Sequence, residues 1–256
     1  MIHTFFHFIS SRLVQTQEIL LTAPSSDSTP NEILLYETTP ETVNMFRIAR
    51  LILDLCNDAM RDLMQSKVPG GELGLTKKIA SSKTYLASSR LSKDQERLLF
   101  PPNNAQVQYQ SLDFTLMYAL VRNIFHEEIE PNSKKNNKWG KRPTAGETGL
   151  VVAIENIRGC RNAFFAHTSS TKVDKKTFDE LCTTIEGAVG EIDNHIDRSV
   201  TCVCYKKELD KMKTHPIDPQ LQQILKIQIE KEKEINELLK MEGTVVFFSQ
   251  RSSLIF

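Results

Sequence analysis

Net charge is missing from this chain: 32 lysines and arginines balance 32 aspartates and glutamates. A basic coat that binds nucleic acid by charge alone is excluded, so any polyanion contact must be local. Long apolar runs are missing too, and no stretch approaches the roughly 20 residues that span a bilayer. Near the start, Phe5, Phe6, Phe8 and Ile9 are interrupted by His7, Ser10, Ser11 and Arg12 and lack a basic lead. That patch reads poorly as a signal peptide, and no membrane association is expected. Cysteine is sparse and odd in number: Cys56, Cys160, Cys182, Cys202 and Cys204. Three of them fall on or beside apolar helix faces, where a thiol acts as a small hydrophobe. A reducing, cytoplasmic setting is expected rather than a disulfide scaffold. Cys202-x-Cys204 has no second pair of soft ligands nearby, so no zinc site is expected. Phosphate-cradling glycine loops, a dinucleotide glycine fingerprint, a nucleophile-elbow serine and helices with two metal-spaced histidines are all lacking. The expectation is a site without metal or cofactor.

Strand signals are nearly absent, and helical periodicity fills the space they leave. Residues 1–40 read as a tail and linker, rich in Pro, Ser and Thr after residue 23. Thr39-Pro40-Glu41 is a helix start, with a capping hydroxyl, a first-turn proline and an early acid. Met45, Ile48, Ala49, Ile52, Cys56, Ala59, Met60 and Leu63 then form one three-four ladder, ended by Val68-Pro69-Gly70-Gly71. Residues 72–100 read as two short helices around Ser88–Ser92. Asp113 caps a helix with Leu116, Met117, Leu120, Val121, Ile124 and Phe125 on one face. Thr144-x-x-Glu147 is a capping box that should open the next helix. Asp174 caps another, with Phe178, Leu181, Cys182, Ile185, Ala188, Val189, Ile192 and Ile196 on its core side.

The fold class expected is all-α: an up-and-down helical bundle over residues 41–200 with a charged helical extension. Residues 205–242 are charge-rich and should form that connector, leaving 243–256 as an apolar tail. The tail, with Val245-Val246-Phe247-Phe248, suggests a chain cut from a longer architecture or a short edge strand.

Chemistry concentrates at Arg161-Asn162-Ala163-Phe164-Phe165-Ala166-His167. Arg161 continues the row of Leu150, Ile154 and Ile157, an apolar helix face on which a permanent charge is costly unless something receives it. RNA is cleaved without metal when its own 2′-hydroxyl attacks the adjacent phosphate. Histidine suits the proton transfers of that reaction, and arginine's planar fork suits the phosphate oxygens. Asn162 can orient either group, or cap backbone at a helix end. Arg158, one turn earlier, can add a phosphate contact or lie solvated. His167 can equally cap the carbonyls of its own helix.

Two other groupings compete for notice. Arg122-Asn123-Ile124-Phe125-His126 has the same residue types one position tighter and reads as a structural polar pair. The loop Asn132–Arg142 holds Lys134, Lys135, Lys138, Lys141 and Arg142 around Trp139, the only tryptophan, with no acid among them. Such a loop can hold a single-stranded backbone and stack a base, or fold its tryptophan back onto the bundle.

Arg161-Asn162 followed by His167 resembles the R-N-x4-H signature of the HEPN superfamily. Leu99-Phe100-Pro101-Pro102, Leu112-Asp113-Phe114-Thr115-Leu116, Leu120-Val121-Arg122-Asn123-Ile124, Trp139-Gly140 and Ile157-Arg158 are similar to one branch. That branch is the HEPN-like domain of the DAZ-interacting zinc-finger ubiquitin-ligase type, and the likeness spans about residues 45–198. Phe165 replaces a tyrosine of the pattern. The resemblance implies a helical bundle that dimerises through the motif helices, so that two Arg-His pairs share one cleft. It implies RNA binding, and in the wider superfamily metal-independent RNA cleavage, with Arg161, Asn162 and His167 carried over by position. The alternative it implies is a non-catalytic oligomerisation or RNA-sensing module of an innate-immune signalling protein. The helix after residue 205 resembles a connector to a downstream signalling or NTPase domain absent from this chain.

Overall fold

The computed structural model describes residues 39–87, 91–135, 138–167, 172–214 and 216. The apolar patch near residue 5, most of the charged connector and the apolar tail lie outside the described residues. Every regular element described is helical. In chain order these are α1 (Pro40–Arg50), a π-turn (Leu51–Leu55), α2 (Cys56–Lys67), α3 (Gly71–Ser81), α4 (Lys83–Ala87) and α5 (Lys93–Leu99). There follow α6 (Phe114–Asn123), α7 (His126–Ile129), α8 (Leu150–His167), α9 (Lys175–His195) and α10 (Tyr205–Thr214), with single 3-10 turns at Pro102–Asn104 and Tyr109–Ser111. No helix among the described residues is long and apolar enough to cross a membrane.

Local sequence explains four of the helix starts. Thr39 accepts the Thr42 amide, Asp113 the Leu116 amide and Asp174 the Thr177 amide, each at the expected cap. Ser92 and Gln95 close a capping box at α5. The stretch before it holds two helices, α3 and α4, so three short elements stand where two were expected. The long ladder is also interrupted. Between α1 and α2 the Cys56 amide reaches back to the Leu51 carbonyl, inserting a wide turn without breaking the buried row.

The chain divides into two compact units, and each is described by itself. In the first, over residues 68–125, Leu116, Met117, Leu120, Val121 and Phe125 are buried as the periodicity requires. The Thr76 hydroxyl accepts the Val107 amide and ties α3 to the segment before α6. The second unit combines 39–67 with the chain from His126 onward. Its most extensive packing is α8 on α9, and α9 also lies against α1, α2 and α10. Met45, Ile48, Cys56, Met60 and Leu63 meet Ile154, Ile185, Val189 and Ile192 in its core, all below 2% exposed. Burial pushes the Cys160 and Cys182 thiols up to about 11 and raises Cys56 as well, so these sulfurs stay protonated and act as packing atoms.

The expected connector begins inside this unit. Tyr205 and Leu209 on α10 are buried, and the Tyr205 hydroxyl donates to Asp62 at 2.5 Å. Asp193, buried near the end of α9, accepts the Tyr205 and Lys206 amides and so caps α10 from a neighbouring helix. Cys204 donates its thiol proton to the same carboxylate.

Glu186 on α9 accepts from the Lys213 ammonium at 2.6 Å and lies 3.8 Å from that of Lys206. The hydrogen bond from Lys213 holds the Glu186 carboxyl below its usual value, helped by the charges of Lys213 and Lys206. A group depressed on folding stabilises fully above its unfolded pKa and loses that contribution as pH falls through the folded one. Urea midpoints of the native chain and Glu186→Gln should therefore differ at neutral pH and converge as pH falls below the glutamate range. A gap that persists at acid pH would assign the pair no role in holding α10.

Candidate functional site

Six consecutive residues at the start of α8, Leu150 to Glu155, are buried. The helix is therefore enclosed nearly all round in its first half, not amphipathic throughout as its spacing suggested. It packs on α9 and on the π-turn, and the loop before it is bonded to its third side. Solvent reaches α8 at Gly159 and Asn162, toward its end.

That end carries the motif. Arg161 is half-buried, its guanidinium 5.2 Å from the centre of the Phe165 ring one turn on. The apolar row continues past it in Phe164, which is buried, and the charge rests on the aromatic face of Phe165, which costs far less than burial in hydrocarbon. Asn162 is exposed. His167 is the last residue of α8, and its side chain lies outside the described residues. An α-helix turns about 100° and rises about 1.5 Å per residue. Six residues thus carry His167 about 9 Å along and about a third of a turn around from Arg161.

Arg158 is committed elsewhere. Its Nε donates to Glu155 Oε2 at 2.6 Å, and Glu155 is 1% exposed. The other oxygen, Oε1, accepts the Gly140 amide at 2.6 Å. Glu130 divides its carboxylate in the same manner. One oxygen takes the Lys138 ammonium at 2.5 Å and the other the Val151 amide at 3.1 Å, in the first turn of α8. Glu130 thereby does the work expected of the Thr144–Glu147 box. Glu147 does bond the Thr144 amide at 2.7 Å, but that turn closes on itself and α8 begins only at Leu150. Gly146 and Gly149, at φ +87° and +112°, break the path between them. A Cβ on Gly149 would also lie 3.1 Å from the capping Glu130 oxygen.

Trp139 is buried rather than displayed. Its indole N–H donates to Ser133 Oγ at 3.0 Å, and that hydroxyl donates to the His126 carbonyl at 3.1 Å. The ring is packing, the second of the two arrangements its loop allowed. Lys138 is half-buried in its ion pair, while Lys141 and Arg142 are exposed. The second Arg-Asn-His grouping also dissolves: α6 ends at Asn123 and His126 opens α7, 3.7 Å from Glu127. Four-residue helical spacing between Arg122 and His126 does not apply.

An open groove of about 460 Å³ lies between the 143–149 turn and α9, bordered by Thr144, Glu147, Asn156, Thr183, Gly187 and Glu191. Its two carboxylates make it a poor receptor for phosphate.

Sequence reasoning passed over Glu130 and Glu155. Glu155 gave a signal: it is a lone acid closing the apolar run Leu150-Val151-Val152-Ala153-Ile154. Glu130 gave none, because its partners are 8 and 21 residues away.

Neither the curated proteins nor the solved structures offer a match to this chain. A family model described as DZIP3/hRUL138-like HEPN matches residues 73–225, which take in α4 through α10, with the whole motif helix, and all but the first two residues of α3. With well over half of its length matched, and its matched helices in place, the chain belongs to the DZIP3/hRUL138-like HEPN family.

Proposed function

We propose that the chain is an RNA-binding HEPN protein whose Arg161 and His167 cleave RNA without a metal ion, in a site built by two copies. The observation that carries this reading is Arg161 at the rim of α8, half-buried over Phe165, six residues before a helix-terminal histidine. Arg161 stabilises the charge that builds on the equatorial phosphate oxygens. His167 takes the proton of the attacking 2′-hydroxyl, and its counterpart on the second copy returns one to the leaving 5′-oxygen. Asn162, exposed beside Arg161, orients the phosphate. The offset of Arg161 and His167 around one helix is why two copies are invoked. Lys141 and Arg142 hold the backbone further along. Arg158 is not assigned to substrate, since its guanidinium is paired with Glu155.

A second reading is favoured by one specific contact: the guanidinium of Arg161 rests on its own chain's ring. A module that senses RNA or self-associates without turnover needs no more than that. Full-length protein incubated with mixed RNA in a chelator separates the two. His167→Ala should lower the cleavage rate on the order of a hundredfold or more while leaving RNA binding intact. Cleavage that persists in that variant removes the mechanism. Binding without cleavage in the native chain, with a dimer seen by native mass measurement, selects the module.

A further inference from the structure

We infer that Glu130 and Glu155 are positioning residues that fasten the segment Lys138–Arg142 to the motif helix as a fixed lip for the phosphates of single-stranded RNA. The inference rests on the RNA-binding reading above and adds the source of its geometry.

Each carboxylate spends one oxygen on the loop and one on α8. Glu130 joins the Lys138 ammonium to the Val151 amide, and Glu155 joins the Gly140 amide to Arg158. Gly140 stands between them at φ +79°, a conformation that lets its amide turn inward. A third tie, from the Trp139 indole to Ser133, fixes the base of the loop. A lysine-rich loop in water pays entropy to settle on a polyanion; one already fastened at residues 138, 139 and 140 does not. What remains exposed immediately beyond the ties is Lys141 and Arg142, adjacent cations at the mouth of the lip. With the tryptophan turned in, residues 138–142 offer no aromatic ring to a base. The ligand is the sugar–phosphate backbone, and binding should be salt-dependent and indifferent to base identity.

The test turns on a sign. Glu130→Gln removes a negative charge beside a basic loop, so charge arithmetic alone predicts tighter RNA binding. The lip predicts the reverse, because glutamine still accepts the Val151 amide but presents no anion to Lys138. Fluorescence anisotropy of a labelled single-stranded RNA, titrated with the full chain over a range of salt, should show Glu130→Gln weakened about fivefold. Lys141→Ala with Arg142→Ala should flatten the log–log salt slope by about 1.4, two contacts at about 0.7 each. Lys138→Met covers the case in which Glu130→Gln fails to fold. It should weaken binding with the slope unchanged, since Lys138 faces Glu130 and not the RNA. Tighter or unaltered binding by Glu130→Gln overturns the inference, as does a slope lowered by Lys138→Met. If the native chain binds no RNA, the reading beneath it fails as well. Native binding with none of these changes sinks the lip alone.

Discussion

Glu155→Ala is expected to lower the unfolding free energy by about 3 kcal/mol, the low end of what breaking a buried ion pair costs. The residue is 1% exposed and both of its oxygens are used, by the Gly140 amide and by Arg158. Alanine leaves that amide without an acceptor and opens a void in the second turn of α8. Arg158 softens the loss because its side chain is 27% exposed and can turn to water. Urea denaturation checks this through a lower midpoint at an unchanged slope. A double-mutant cycle with Arg158→Ala then isolates the pair. Arg158→Ala by itself should cost less than Glu155→Ala, because the carboxylate keeps the Gly140 amide. Equal costs would mean that the loop contact carries no weight, and a loss below about 1 kcal/mol for Glu155→Ala would remove the tie altogether.

Glu155 also marks the boundary of what the sequence makes legible. Caps are local: a Thr, Asp or Ser accepts an amide three residues on, so Thr39, Asp113 and Asp174 could be read directly and were found in place. Buried rows are nearly as local, since one helix repeats its own face; the ladder from Met45 to Leu63 needed no tertiary knowledge, and the one from Phe178 to Ile196 is buried from Cys182 on, with Phe178 and Leu181 half-buried. The family likeness was legible for a similar reason, its motifs being short runs of contiguous residues. The ties at the site are not local. Glu130 reaches a helix 21 residues away, and Asp193 caps one that starts 12 residues later across a loop. A carboxylate's sequence neighbours do not say which distant amide it will meet. The Thr144–Glu147 box failed for a related reason. Its pattern was satisfied by an isolated turn, and two left-handed glycines kept that turn from growing into α8. Trp139 shows the limit of composition: basic neighbours left display and burial both open, and the structure has the indole N–H buried against Ser133, where it meets its partner inside.

Leu209→Ala decides whether α10 belongs to the folded unit or begins a connector. Charge density from Lys206 to Lys213 favoured the connector, because most of those side chains lie in solvent. Leu209 is nevertheless fully buried, Tyr205 on the preceding turn is 4% exposed, and Asp193 supplies the cap of α10 from α9. A ten-residue helix is too short to persist alone in water, so its order derives from that face. Removing the leucine side chain should cost about 3 kcal/mol, the transfer of three carbons plus the cavity they leave. A connector would lose a few tenths at most, as exposed helix positions do. Equilibrium unfolding in urea reads the difference directly, and the effect should be nearly additive with Glu155→Ala, as the two residues have no partner in common. If the variant unfolds in two steps, the first confined to α10, then that helix is a separately cooperative flap and the full cost will not appear in the main transition. If instead the midpoint stays where it is in the native chain, the buried face of α10 contributes nothing and the folded domain ends with α9.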